Sequence, residues 1–178
     1  VPPQRILVIG CSGAGKSTLG RALAGRYGLP LIHLDHEYWL PGWGEPRREV
    51  WRETVKGLVA RDAWVMEGNY SSTFDIRMPR ADMIVFLDMP VITCLRGILW
   101  RPLRHWGKQR PDMAPGCIER YDWPFVKYVW LFRQKQRPVI VAALERYGKT
   151  ARLAHLKSRS EARAFLQSLP GEAGAKAA

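Results

Sequence analysis

The sequence predicts an α/β fold: a parallel sheet with helices on both faces. Two observations carry this. Short apolar, β-rich runs alternate with helix-like stretches along the chain. The first run leads at once into a glycine-rich turn, "GCSGAGKS", that opens a helix. At 178 residues, with ordinary apolar and charged content, the chain can bury one sizeable core. It shows no internal repeat and no composition shift that would mark a boundary, so a single domain over 1–170 is expected.

The elements follow in order. "RILVIG" (5–10) reads as the first strand, and "KSTLGRALAGRYG" (16–28) as a helix closed by glycine. "LPLIHLD" (29–35) reads as the second strand. "PRREVWRETVKGLVAR" (46–61) is a helix with Pro46 near its start and Val50, Val55, Leu58 and Val59 on one side. "AWVMEGNY" (63–70) and "ADMIVFLDMP" (81–90) are the third and fourth strands. A helix over 91–106 is expected to bend or break near Pro102. Residues 107–117, with two prolines and two glycines, read as a mobile loop. One or two helices fill 121–148, a last strand 150–158 and a last helix 159–169, and the tail 171–178 reads as disordered.

Composition narrows the function classes. No apolar run approaches the roughly 18 residues of a membrane span, and "VPPQRILVIG" enters a strand without a leader pattern, so a soluble cytoplasmic protein is expected. Cys11, Cys94 and Cys117 are an odd number without C-x-x-C spacing, which points to thiols and away from a disulfide framework or four-cysteine zinc site. The charge is lopsided. Residues 1–90 carry 11 Lys/Arg against 10 Asp/Glu, and residues 91–178 carry 17 against 6. Such a field favours polyanionic partners such as nucleotides, phosphorylated metabolites or nucleic acid; a merely solubilising basic surface reads equally well from composition.

Gly10 to Ser17 fits G-x-x-x-x-G-K-[ST]. Gly10, Gly13 and Gly15, with Ser12 and Ala14 between them, let the backbone curl so that successive N–H groups point at phosphate oxygens. Lys16 reaches the β/γ-phosphates, Ser17 ligates Mg²⁺, and Thr18 continues the helix whose positive end faces the same anion. The site expected is therefore one for ATP and Mg²⁺. A carboxylate that steers the metal belongs at the end of a neighbouring strand, where Glu67 and Asp88 both qualify; Asp88 reads equally as the cap of the next helix. No N-K-x-D motif reads guanine, and no acid-Arg-Ser follows the third strand as it does in nucleoside kinases. Tyr38, Trp39 and Trp43 either wall a pocket for a ring-shaped acceptor or pack into the core. His33, Asp35, His36 and Glu37 match no zinc-ligand spacing, although His33 and Asp35 share a strand face.

Residues 5–169 resemble the small P-loop kinases of the nucleoside-monophosphate and shikimate/gluconate kinase kind. They are more specifically similar to bacterial adenylate-kinase-related proteins known as DNA topology modulation proteins. "GCSGAGKST", "LIHLDHEYWLPGW", "WVMEGNY", "VFLDMPVITCLRGILWR", "RPDMAPGC" and "LKSRSEARAFL" carry the resemblance. It implies a three-layer P-loop NTPase fold, with a five-stranded parallel sheet flanked by helices and a helical or loop lid over 107–120. It also implies that Asp35 meets the acceptor hydroxyl or a metal-bound water beside it; the structural alternative is a cap for the helix that follows. Asn69 and Arg77, and more weakly Arg80, would hold the acceptor. Arg96 and Arg101 would act as lid arginines on the transferring phosphoryl group, with Arg104, Arg110 and Arg120 nearby. Ser158 and Arg159 would sit at the adenine. Arg133, Lys135 and Arg137 read as solvated helix charge. Two departures stand out: Glu67 replaces the usual Asp of the topology-modulation relatives, and the four-cysteine lid of many adenylate kinases is missing.

The function expected is an ATP- and Mg²⁺-dependent phosphotransferase acting on a small acceptor such as a nucleotide, nucleoside or hydroxylated metabolite. The alternative is an ATP-binding regulator that acts on DNA through the basic C-terminal half. No helix-turn-helix, zinc-finger or RNA-binding signature favours nucleic acid.

Overall fold

Five strands form one parallel sheet in the order β2-β3-β1-β4-β5. The computed structural model describes residues 2–105, 113–117 and 122–170, with the side chains of 101–105 outside that description. The strands are β1 (Arg5–Gly10), β2 (Leu31–His33), β3 (Trp64–Glu67), β4 (Met83–Leu87) and β5 (Arg152–Leu156). β1 lies at the centre, with Arg5 beside Trp64 of β3 and Ile6 beside Met83 of β4. Ile6 to Ile9, Trp64 to Met66 and Met83 to Leu87 are buried, as expected for strands covered on both faces. At the edge, Arg152 and Leu153 of β5 are exposed.

The helices are α1 (Lys16–Tyr27), α2 (Leu34–Tyr38), α3 (Arg48–Val59), α4 (Phe74–Arg77), α5 (Val91–His105), α6 (Trp123–Trp130), α7 (Phe132–Lys135), α8 (Arg137–Tyr147) and α9 (Arg159–Ser168). The expected order of elements holds, with local corrections. The second strand stops at His33 and the chain turns directly into α2, so Asp35 lies in a helical first turn rather than on a strand face. In α3 the buried stripe is Trp51, Val55, Leu58 and Val59, while Val50 is exposed. The i, i+4, i+7, i+8 spacing starts from the tryptophan, and Val50 falls one position off it. α5 stays helical past Pro102 to His105, and the stretch expected to hold one or two helices holds three short segments. Of the expected lid, residues 113–117 are described, and Arg110 and Arg120 lie outside the described residues, as does the tail 171–178.

Among the described helices none is long and apolar enough to cross a membrane. All three cysteines are buried free thiols, and the neighbouring Cys94 together with burial pushes the Cys11 thiol's pKa up.

Two glycines bring the turn after β1 against α5. A Cβ on Gly13 would stand 2.1 Å from the Cys94 carbonyl oxygen, and one on Gly97 would stand 2.4 Å from the Gly13 carbonyl oxygen. Both lie far inside contact distance, so backbone meets backbone here. Gly57, inside α3, has open space where a Cβ would go. Opposite outcomes therefore follow from one substitution type. Gly57→Ala should stabilise the protein by about 0.5–1 kcal/mol through helix propensity. Gly97→Ala, also within a helix, should destabilise it by about 1–3 kcal/mol because the turn must move. Urea unfolding of the two variants measures both; a stabilised Gly97→Ala would refute the close approach.

Candidate functional site

The turn from Gly10 to Lys16 frames a cavity of about 1410 Å³ on the side of the sheet where β1, β3 and β4 end. Gly15 caps α1 in a left-handed conformation (φ 100°), no side chain caps the helix, and its first turn holds no acid. The N-terminal N–H groups and the positive helix end are thus left to an anion, and this fits a phosphate chain. Ser12, Gly13, Gly15, Lys16, Ser17 and Thr18 line the cavity, while Ala14 is buried. Lys16 Nζ folds back to the Cys11 carbonyl oxygen at 3.2 Å.

Beside this cradle stands Glu67. Its Oε1 accepts the Ser17 hydroxyl at 3.0 Å and lies 2.7 Å from His33 Nδ1. Burial alone would raise the Glu67 pKa, but the His33 hydrogen bond, the Lys16 charge and the Ser17 hydroxyl hold it below the ordinary carboxylate value. A hydroxyl and an ionised carboxylate side by side are hard oxygen donors of the kind Mg²⁺ takes together with phosphate oxygens and water. The residues present therefore fit the metal. His33, read from sequence only as a weak metal candidate, orients this carboxylate.

The loop after β3 links the cradle to the far side of the cavity. Arg77, expected to hold an acceptor, is fully buried. Its guanidinium donates to the carbonyls of Gly68, Asn69 and Tyr70 and to the Thr73 hydroxyl. Burial pushes its pKa down to about 9, which leaves it charged at neutral pH. Arg77 thus shapes the loop from behind and does not reach the cavity. Asn69 Oδ1 accepts the Gly10 N–H at 2.9 Å. The Tyr70 hydroxyl donates to Asp35 Oδ1 at 2.7 Å. Asp35 is half-buried, lines the same cavity as Lys16, and is not the cap of α2, which is His33.

Aromatic rings close the Asp35 side. Trp39 and Trp43 line the cavity with centroids 5.4 Å apart and planes at 71°. Tyr38 packs edge-on against Trp39 and Trp51, and its hydroxyl donates to Glu45 at 3.1 Å. It therefore supports the wall from outside the main cavity. Among the described residues, the non-glycine positions with positive φ are Trp43 (66°) and Tyr70 (43°), and both line this cavity. Left-handed backbone at a bulky residue costs about 1–3 kcal/mol and concentrates where function requires it.

The remaining expectations divide. Arg96 and Arg159 line the cavity. The side chain of Arg101 lies outside the described residues. Ser158 caps α9, accepting the Glu161 N–H at 3.1 Å. Asp88 is not among the cavity-lining residues. Its carboxylate accepts Arg137 Nε at 2.9 Å and lies 2.9 Å from His155 Nε2, so it ties the end of β4 to α8 and β5. Burial alone would raise its pKa, yet these two partners hold it below the ordinary value. Arg137 is accordingly an ion-pair partner rather than solvated charge. Tyr70, Tyr128, Glu45 and Trp100 also line the cavity and carried no sequence signal of their own.

Two solved structures show the same fold. A shikimate kinase from Acinetobacter baumannii in complex with shikimate superposes with a TM-score of 0.59 at 21% identity, covering 92% of this chain and 89% of that one. A shikimate kinase from Bacteroides thetaiotaomicron does so with a TM-score of 0.51 at 21% identity, covering 93% and 96%. At that identity the likeness speaks for the P-loop fold alone. No family model matches the chain. One curated relative, uncharacterized protein YqaC of Bacillus subtilis (strain 168), is 32% identical over 133 residues, 72% of each chain. The chain therefore belongs to the family of YqaC, on the fold of the shikimate kinases.

Proposed function

We propose that the protein is an ATP- and Mg²⁺-dependent phosphotransferase that moves the γ-phosphoryl group of ATP to a hydroxyl of a small acceptor. One observation carries the reading: Lys16 and the Ser17–Glu67 pair line the same cavity as Asp35. A donor phosphate and an acceptor hydroxyl thus share one enclosure, the first requirement of phosphoryl transfer. The shared fold of enzymes named for phosphorylating a small metabolite supports it further.

In this reading the N–H groups between Gly10 and Ser17 hold the phosphates. Lys16 exchanges the Cys11 carbonyl for β- and γ-phosphate oxygens. Ser17 and Glu67 would hold Mg²⁺, which would supply positive charge to the phosphates. Asp35, fixed by Tyr70, orients the acceptor hydroxyl and takes its proton. The hydroxyl oxygen forms a bond to the γ-phosphorus as the bond to the bridging oxygen of the β-phosphate breaks. ADP leaves with that electron pair. Arg96 and Arg159 offset charge on the transferring group. Trp39, Trp43, Trp100 and Tyr128 keep water from the enclosure.

The direct test is ADP release from ATP and Mg²⁺ by the purified protein, alone and with nucleosides, nucleoside monophosphates, sugars and polyols. Stimulation by one acceptor class is expected, and a slow rate indifferent to every acceptor would sink the proposal. Lys16→Ala should abolish the stimulated rate while the circular dichroism spectrum and melting temperature hold. Asp35→Asn should lower transfer by about 10²–10⁴-fold, the usual worth of a positioned base, and change ATP affinity little. Equal losses in both would assign Asp35 to structure or metal.

Glu67→Gln should raise the half-saturating Mg²⁺ concentration about 10–100-fold, as for other residues that orient a metal site. Its stability effect has a defined sign. The folded-state pKa of Glu67 lies below the unfolded value of about 4.3, so the ionised carboxylate stabilises the protein above that pH. This contribution is lost as pH falls through the folded value. Chemical denaturation should thus find the variant less stable than the parent at pH 7 and the gap closing below about pH 4. A gap independent of pH would show that Glu67 is not held ionised.

A further inference from the structure

Two turns far apart in the chain meet beside the Asp35 end of the cavity. One follows α2: Leu40 and Gly44 form an antiparallel bridge, and the Leu40 N–H donates to the Gly44 carbonyl at 2.9 Å. The other spans residues 113–117, between α5 and α6, and is closed by the Cys117 N–H on the Ala114 carbonyl at 3.2 Å. The Gly42 N–H donates to the Gly116 carbonyl at 3.3 Å, and the Cys117 thiol donates to the Leu40 carbonyl at 3.5 Å. Met113, Ala114 and Cys117 are buried, and Trp39 and Trp43 pack against them. Met113, Trp39 and Trp43 line the same cavity as Asp35.

This junction is built to yield before the rest of the fold. Its apolar cluster is separate from the main core of the sheet and its flanking helices. The thiol is a weak donor by nature, and the Gly42 bond is long for an N–H on a carbonyl. A small satellite cluster with weak hydrogen bonds opens locally at a lower free energy than the whole domain unfolds. Trp43 has left-handed backbone (φ 66°), a strain that release can relieve. Asp35 is anchored independently, by the Tyr70 hydroxyl at 2.7 Å, so opening of the junction leaves it in place.

We propose that residues 40–44 and 113–117 form a latch. Closed in the resting protein, it walls the Asp35 end of the cavity, and it opens as a local unit to admit the acceptor while the phosphate turn stays formed. The opening itself is independent of the kinase reading; the role in admitting an acceptor rests on that reading.

Thiol chemistry reads the latch directly. Cys117 lies in it and is 1% exposed, while Cys11 and Cys94, at 2% and 0%, stand at the phosphate turn and serve as references. The native protein would be alkylated with iodoacetamide, each site followed by mass spectrometry and its rate divided by that of the same site in urea. Cys117 should react about tenfold or more faster than either reference. Met113→Ala should speed Cys117 about tenfold further by loosening the cluster, and leave the references unchanged. Equal rates at the three sites, or a Cys117 rate indifferent to Met113, would overturn the latch.

A covalent clasp tests its role. A Cβ on Gly116 would stand 3.4 Å from the Pro41 Cβ, at the short end of disulfide reach. Pro41→Cys/Gly116→Cys, made with Cys117→Ser, would be oxidised with glutathione disulfide and compared with its own reduced form. By calorimetry the two forms should bind ATP and Mg²⁺ alike. Oxidation should abolish stimulation of ADP release by the nucleosides, nucleoside monophosphates, sugars and polyols, and dithiothreitol should restore it. Undiminished stimulation of the oxidised form would overturn the admitting role, and loss of ATP binding on oxidation would overturn the local opening. If no acceptor stimulates the parent, the kinase reading and the admitting role fall together, while the alkylation rates still decide whether the latch opens.

Discussion

The buried guanidinium of Arg77 is the constraint from which the site is built. Its donors hold three successive carbonyls, those of Gly68, Asn69 and Tyr70, in the loop that leaves β3. Each residue of that loop then reaches a different part of the cavity. Gly68 continues from Glu67, which stands beside Ser17. Asn69 takes the N–H at the start of the phosphate turn, and Tyr70 fixes Asp35. A carbonyl cluster of this kind needs a cation or water to remain buried, and a planar fork with several donors meets that need in a way lysine does not. The two ends of the cavity, at Lys16 and at Asp35, are thereby held in register by a residue that touches neither.

Much of this architecture was legible in the sequence because it rests on local pattern. Uninterrupted apolar runs fix β1, β3 and β4, and the glycine spacing before Lys16 fixes the phosphate turn, since backbone there must curl where a side chain would obstruct. In α3 Val50 adjoins Trp51 and shares its apolar character, yet only the tryptophan is in phase with Val55, Leu58 and Val59. Asp35 reads as a strand residue because β2 is three residues long, and alternation over so short a stretch does not distinguish a strand end from a helix start.

The roles of charged residues were less legible, and the cause is physical. Whether an arginine faces solvent, a ligand or a carbonyl cluster depends on partners distant in sequence. Arg77 ends α4 and Arg137 opens α8; the first is buried against a loop and the second pairs with Asp88 across the fold, and neither partner is signalled by the residues around the arginine. Glu67 ends β3 and Asp88 follows β4, and neither's surroundings are written nearby. His33 and Ser17 claim the first, His155 and Arg137 the second.

The strand order has a bearing on how the molecule comes into being. β1, first in the chain and central in the sheet, finds its neighbours only at Trp64 and Met83. During synthesis it therefore waits, apolar on both faces, until β3 and then β4 have been made. Long-range parallel pairing is slow because loop closure precedes any reward from contact. The phosphate turn at its end leans on Asn69, Cys94 and Gly97, all still later in the chain than β1. The turn is thus completed only late in the growing chain, and a ligand bound there at that stage, such as the nucleotide proposed above, would act as a brace that closes the first strand onto the rest.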